Sequence, residues 1–357
     1  MSFDDAVDRT LSSWMKKDGP EGDIVFGTRI RLARNLTKTP FPALTDREQL
    51  QKVLEKGSIL PDSLGSICQL RFLRMAEVEK LERQVMVEKH LISPRHAEET
   101  AHKGLLLSEQ EDISIMINEE DHFRIQVLTP GLQLEYAWEL GNRIDDGIEE
   151  QLDYAFDETR GYLTACPTNV GTGMRASVML HLPALARVNQ LSKVLSSVSQ
   201  FGLVVRGLYG EGSDSYGNIF QISNQVSLGH TEDEMIEHLA KVTGQIITSE
   251  RQARDYLSQP ERRLASEDSI YRSYGILANA RVIGTKEALE LLSQVRLGID
   301  LGLITHLDQK ILKELMVLTR SAHLQKLMGQ NLHSEERDRL RASLIRDRLR
   351  VDKDTKG

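Results

Sequence analysis

The sequence predicts an α+β fold: an antiparallel β-sheet flanked by helices, followed by a small all-helical C-terminal region. Three observations predict it. Ile113–Ile117 and residues 123–127 alternate apolar and polar side chains across the polar stretch 118–122, the pattern of two half-buried strands in an antiparallel hairpin. Helical periodicity falls in separate blocks at 131–157, 174–200 and 232–257, with hairpin-like connections elsewhere, unlike a doubly wound sheet. Beyond the polar run around Pro260 the pattern is almost wholly helical.

The elements follow in order. A helix is expected at 7–16, stopped by the Gly19-Pro20 turn. Residues 203–205 and 219–222 read as two further strands around the Gly-rich stretch 207–217. Pro260 places a domain boundary that divides the chain into 1–257 and 258–357. In the second part, Leu289, Leu292, Val295 and Leu297 lead to a break at 298–302, and Leu312, Leu315, Met316 and Leu318 mark another helix. The last helix should start near Ser334, with its hydroxyl as cap and Glu335 and Glu336 in the first turn. Residues 351–357 read as a frayed tail.

Composition narrows the class. The 357 residues are 40% hydrophobic and 27% charged, ordinary for a globular protein. A net charge of −8 argues against a general nucleic-acid binder. No apolar run approaches the ~20 residues of a membrane span, and the acidic N-terminus has no signal-peptide pattern. Two cysteines, Cys68 and Cys166, give no disulfide framework. The expected location is the cytoplasm.

Four stretches carry candidate chemistry. In Thr28-Arg29-Ile30-Arg31 the arginines alternate, so on a strand both point to one face. Two such guanidinium groups repel unless an anion joins them, and phosphate matches their fork. The plainer reading is an exposed basic edge strand. Asn118-Glu119-Glu120-Asp121-His122-Phe123-Arg124 offers adjacent carboxylates for a cation, a metal or a guanidinium, or is only a solvated turn. Around Cys166, a Thr/Asn/Gly turn leads to Arg175 at the expected start of a helix, a place that suits an anion and a thiolate. Gly171-x-Gly173-x-x-Ala176 fits a dinucleotide loop only formally, because no acidic residue lies between Arg175 and Arg206. Cys166 is otherwise a buried small hydrophobe. His181, on the same expected helix, is a conceivable partner of Cys166 in a cysteine hydrolase. The fourth stretch is the loop from Arg206 past Glu211 to Gly217, of the kind that closes over substrates. No metal-ligand spacing stands out.

Together these stretches resemble the phosphagen (guanidino) kinases, over roughly residues 20–255. Cys166-Pro-Thr-Asn-x-Gly-Thr with the downstream Arg-Ala-Ser, and Asn118-Glu-Glu-Asp-His-x-Arg-Ile, are that family's motifs, in family order. The resemblance implies that Arg29, Arg31, Arg124, Arg175 and Arg206, with Thr28 beside them, form the ATP-binding set. His90, on a shorter match, would touch the nucleotide. Glu120 and Glu211 would grip the acceptor guanidinium and take its proton, with Cys166 as the reactive cysteine. ATP is the implied phosphate donor, and Mg2+ enters through its phosphates. The arginine pair comes early, so the family's N-terminal helical domain is expected to be missing. That and the helical C-terminal part resemble the family's protein arginine kinase branch, which modifies arginine within proteins.

Arg337-Asp-Arg-Leu-Arg341-Ala resembles that branch's phosphoarginine-binding motif, implying that Arg337, Asp338 and Arg341 form an allosteric pocket. On composition alone the stretch reads as a plain charged helix with internal pairs. The same branch implies a homodimer, a zinc-binding activator (McsA), a heat-shock repressor (CtsR) and a Clp-type unfoldase as partners. Kinase action on free arginine or another small guanidino compound, and a phosphoarginine-reading adaptor, remain alternatives.

Overall fold

The computed structural model describes residues 10–207 and 216–351. Its centre is an eight-stranded antiparallel sheet of β1 (Val25–Arg34), β2 (Leu70–Arg74), β3 (Gly104–Ser108), β4 (Ile113–Ile117), β5 (Phe123–Pro130), β8 (Met174–His181), β9 (Leu203–Gly207) and β10 (Ile219–Asn224). The order across it is β2-β3-β4-β5-β1-β8-β10-β9. A two-stranded ribbon, β6 (Phe156–Asp157) and β7 (Gly161–Tyr162), stands apart. The expected hairpin is β4 and β5, with Ile115 opposite Ile125. The strands expected at 203–205 and 219–222 are β9 and β10, paired antiparallel. The helix expected over 7–16 is interrupted at Leu11 and extended Ser12 and resumes as a single turn, Ser13–Lys16; residues 1–9 lie outside the described residues.

The helices of eight or more residues are α1 (Arg47–Ser58), α2 (Lys80–Glu88), α3 (Leu134–Glu149), α4 (Leu191–Gln200), α5 (Glu232–Leu257), α6 (Pro260–Asn279), α7 (Thr285–Asp300), α8 (Ile311–Leu318), α9 (Ser321–Met328) and α10 (Ser334–Val351). Among the described residues none is long and apolar enough to cross a membrane. α3 lays Ala137, Gly141, Ile144 and Ile148 on β1 and β5. α5 starts in a full capping box between Thr231 and Glu234 and packs on β8. These helices cover one face of the sheet and leave the other for the site.

The main departure lies at 174–200. The helix expected over 174–200 is strand β8, then a short turn of helix at Pro183–Arg187, then α4. β8 lies between β1 and β10 and is buried on both faces. A strand covered on both faces reads as a near-continuous apolar run, which periodicity does not separate from a buried helix. Arg175 therefore sits inside a strand, and no helix N-terminus follows the Cys166 turn.

The C-terminal helices close onto the sheet part with a continuous hydrophobic core. α5 ends at Leu257 and α6 begins with Pro260 in its first turn, where a missing N–H costs nothing. Arg254 of α5 reaches Asp300 of α7 at 3.3 Å, and Arg296 binds the same carboxylate at 2.9 Å. α7 runs through Gly298, and the chain breaks only at Gly302, whose φ of +69° suits glycine. α10 begins at Ser334, which puts the cap position at His333. There the His333 N–H donates to the Glu336 carboxylate at 2.7 Å, so the expected Ser334 hydroxyl cap is one residue out.

Candidate active site

Strand register builds the site. Arg31 lies opposite Arg175 across β1 and β8, and opposite Gln126 across β1 and β5. Arg206 lies opposite Gln221 across β9 and β10. Alternation on a sheet then puts Arg29, Arg31, Arg124, Arg175 and Arg206 on one face, from four different strands. β1 is thus a central strand, not a basic edge. Arg29, Arg31, Arg124 and Arg206, with His90, Ser93, Gln126 and Gln221, line a cavity of about 170 Å³. A smaller hollow lined by Arg31, Arg124, Arg175 and Asn169 continues it toward the Cys166 turn.

The electrostatics are those of a site awaiting an anion. Burial, with repulsion from Arg124, Arg175 and Arg206, lowers Arg29 to about 10. Burial and the same neighbours, Arg29 included, push Arg31 well below the usual guanidinium value. Like charges directly opposed in a sheet destabilise it. A multiply charged phosphate relieves that repulsion and accepts from several forks together. Arg29 is aimed by Gln221, whose Oε1 accepts from Nη2 at 2.9 Å.

The β4–β5 turn supplies the acids, and its two glutamates differ. Glu119 is buried and bonds Arg124 at 2.7 Å and the Ser93 hydroxyl at 2.8 Å. Burial opposes its charge, but Arg124, Ser93 and the Glu120 N–H outweigh it and hold the carboxyl below the glutamate range. Glu120 is half-buried and stands 3.8 Å from Arg124. Burial pushes its carboxyl above the ordinary range despite Arg124. One carboxylate aims an arginine; the other keeps the affinity for a proton that a general base needs.

The same turn is tied to the cysteine segment. Asp121 Oδ1 accepts from the Ala165 N–H at 2.7 Å and from Asn35 Nδ2 at 2.6 Å. Asn35 also bonds the His122 N–H and the Leu163 carbonyl. Half-buried Cys166 opens a turn of 3-10 helix, with Sγ 3.1 Å from the Thr168 hydroxyl. Glycines carry the chain past it. Gly171 has a φ of +114°, and a Cβ there would meet the Ser227 carbonyl at 2.7 Å.

Comparison with known proteins agrees with this geometry. A family model described as ATP:guanido phosphotransferase, C-terminal catalytic domain, matches residues 49–253, and one described as protein-arginine kinase McsB C-terminal domain matches 263–357. The protein-arginine kinases of Halothermothrix orenii and Brevibacillus brevis are each 53% identical to this chain, over 98% of its length and 100% and 99% of theirs. The chain belongs to the protein-arginine kinases of the ATP:guanido phosphotransferase family. Its fold agrees with solved guanidino kinases. The duplicated taurocyamine kinase of Schistosoma mansoni matches with a TM-score of 0.60 at 25% identity, over 67% of this chain and 35% of that one. Lombricine kinase matches with a TM-score of 0.57 at 21% identity, over 70% of this chain and 75% of that one.

Not every residue expected from the guanidino kinase motifs comes to the cavity. Thr28 is buried on the opposite face of β1, where its hydroxyl donates to the Gly131 carbonyl and accepts the Gln133 N–H at the start of α3. It holds a helix rather than a nucleotide. Glu211 lies outside the described residues. His90 does reach the cavity, at a left-handed turn with φ +62°. Burial, then Arg29 and Arg320, push its imidazole down to about 3. His181 stacks on Phe26 and bonds the Ser293 hydroxyl, which commits it to the α7 interface rather than to Cys166.

The C-terminal motif is divided. Arg341 is buried, donates to the carbonyls of Thr319 and Ile283, and pairs with Asp338. Arg337 bonds the Leu332 carbonyl at 2.8 Å and faces a groove shared with Lys80, Arg83 and Gln325. The two arginines do not converge on one pocket in this arrangement. Asn35, Ser93, Gln126 and Gln221 escape sequence reading, since their value lies in contacts across the sheet, and Asp121 reads there only as one of a run of carboxylates. For Asn35 and Asp121 the available signal was adjacency to Arg34 and Glu120.

Proposed function

We propose that this chain transfers the γ-phosphate of ATP to the guanidinium of arginine residues in proteins, using Arg29, Arg31, Arg124, Arg175 and Arg206 on the phosphates and Glu120 on the acceptor. The observation that carries the reading is the five-arginine sheet face beside a carboxyl of raised proton affinity.

The chemistry follows from charge. Phosphoryl transfer passes through a loose state with charge spread over the equatorial oxygens, which preorganised guanidinium groups stabilise. A free arginine guanidinium, with a pKa above ~12, is a poor nucleophile. Glu120, joined by Glu211, would hold two of its N–H groups and direct one nitrogen in line with the γ-phosphorus. As the N–P bond forms, the bond from phosphorus to the β-γ bridging oxygen breaks, ADP leaves, and the nitrogen's proton passes to Glu120. Cys166 would help to align the acceptor beside the phosphate path. Among the described residues no group of three or more His, Cys, Asp or Glu could hold a metal. Mg2+ would enter on the nucleotide phosphates, where it would neutralise further charge.

The reading extends to a catalytic part at 1–257 and a helical part at 258–357 that dimerises and binds phosphoarginine through Arg337, with Asp338 and Arg341 joining when their own pair opens. A cytoplasmic setting, a zinc-binding activator, a heat-shock repressor and a Clp-type unfoldase complete the proposal. The test is incubation with Mg-ATP and an unstructured arginine-rich protein, with phosphate mapped by mass spectrometry without acid. Acid-labile phosphate on arginine, lost in Glu120→Ala, is expected. Turnover of free arginine alone would move the chain to the small-molecule guanidino kinases. Phosphoarginine binding without any turnover would make it an adaptor.

A further inference from the structure

The cavity wall at His90 is held from the C-terminal part of the chain. His90 follows α2 directly, and its ring lies against Trp14 at a centroid distance of 6.3 Å. The turn is pinned at three points. Gln126 donates to the His90 carbonyl at 2.9 Å. Buried Lys89 binds Glu111 at 2.8 Å, and Glu111 also accepts from the Ser12 hydroxyl. The third point is Glu88. One oxygen accepts the Ala322 N–H at 2.9 Å; the other accepts the His323 N–H at 3.0 Å and lies 2.6 Å from His323 Nδ1.

Glu88 therefore caps the first turn of α9 with a carboxylate, the charge a helix N-terminus favours. His323 is wholly buried, and burial keeps its imidazole below the ordinary range. It serves as a neutral Nδ1–H donor. The cap residue of α9 is Arg320, half-buried, which feels the Glu88 charge and in turn lowers His90. The last residue of α2 thus grips α9 two positions before the chain enters the cavity.

We infer that Glu88 is a positioning residue for nucleotide binding: by gripping the N-terminus of α9 it fixes the His90 turn, so the C-terminal helices set the affinity of the arginine cavity for ATP. The inference rests on the reading of that cavity as the ATP site. It adds a residue that itself touches no substrate, and a mechanical link from the C-terminal helices to the phosphates. Lys326 and Glu82 join the same two helices at 2.7 Å on the exposed side, without touching the turn.

The test measures direct ATP binding, KM for ATP and kcat for Glu88→Ala, Glu88→Gln and Lys326→Ala, each also in a His90→Ala background. Glu88→Ala is expected to raise Kd and KM for ATP about tenfold, with kcat at saturating ATP within about twofold. Glu88→Gln keeps one acceptor oxygen of the two and should raise them two- to threefold, which keeps the test open if the alanine variant folds poorly. Lys326→Ala should change neither. In His90→Ala the Glu88 substitutions should add nothing further. Unchanged Kd and KM in both Glu88 variants, or the same increase with and without His90, would overturn the inference. Absence of ATP binding by the unmodified chain would instead defeat the nucleotide-site reading itself.

Discussion

Two arginine clusters in this molecule make opposite use of the same side chain. On the sheet face, Arg29 and Arg31 are half-buried among other guanidinium groups, and desolvation, then mutual repulsion, push both below their usual value. In α10, Arg341 is more deeply buried but is satisfied from within, by Asp338 and the carbonyls of Thr319 and Ile283. The first arrangement stores repulsion that an anion relieves. The second has committed its Nε and Nη1 donors to the fold. The lesson is that an arginine-rich motif reads as a phosphate site only once its internal acceptors are known.

The largest expected effect lies on the sheet face. Arg31→Ala should lower kcat/KM for ATP-dependent arginine phosphorylation by about 10³-fold, the scale of a lost phosphate-clamping arginine. Its chemical-denaturation midpoint should hold or rise, because a source of repulsion is gone. A fall in stability with activity intact would erase the contrast with Arg341.

Glu120→Gln should lower kcat by about 10²- to 10³-fold, the range of general-base catalysis. The sign of its pH dependence follows from the raised carboxyl. The base works only ionised, so activity should rise with pH through a value above the ordinary glutamate pKa of 4.5. A pH–rate profile of kcat/KM that stays flat down to the ordinary range would remove Glu120 as the base.

Arg341→Ala should destabilise the fold by about 2 kcal/mol, since two carbonyls lose a donor while Asp338 stays partly solvated. Urea unfolding reads this, and kcat of the folded enzyme should change less than about threefold. Arg337→Ala is the mildest case. It should cost about 0.5–1 kcal/mol for one part-buried hydrogen bond, yet weaken phosphoarginine binding more than tenfold in a titration. Should Arg341→Lys abolish that binding at full stability, the Asp338–Arg341 pair must open for the ligand, and the two clusters become alike.

Much was legible in the residues. The β4–β5 hairpin announced itself through alternation and a polar turn. Arg29 and Arg31 shared a face by period alone. The Cys166 and Glu119-Glu120 motifs carried the family because each is a local run of unusual residues. The misread stretch was 174–200, and the reason is general: β8 is buried on both faces, so its apolar residues lack a period of two. The family resemblance implies Thr28 in the ATP set, yet its neighbour Arg29 points to the cavity, and adjacent residues on a strand face opposite ways.

What the sequence by itself determined were the strands' alternation, the helical C-terminal part and the order of the family motifs, because these depend on near neighbours in the chain. Only the tertiary structure decided which arginines face a common cavity. Their convergence depends on the register of β1 against β5 and β8, and of β9 against β10. It also decided that Glu119 aims Arg124 while Glu120 keeps a raised proton affinity, and that Arg341 is closed by Asp338. Those outcomes depend on burial and on partners up to hundreds of residues away, such as Gln221 for Arg29. No local pattern encodes them.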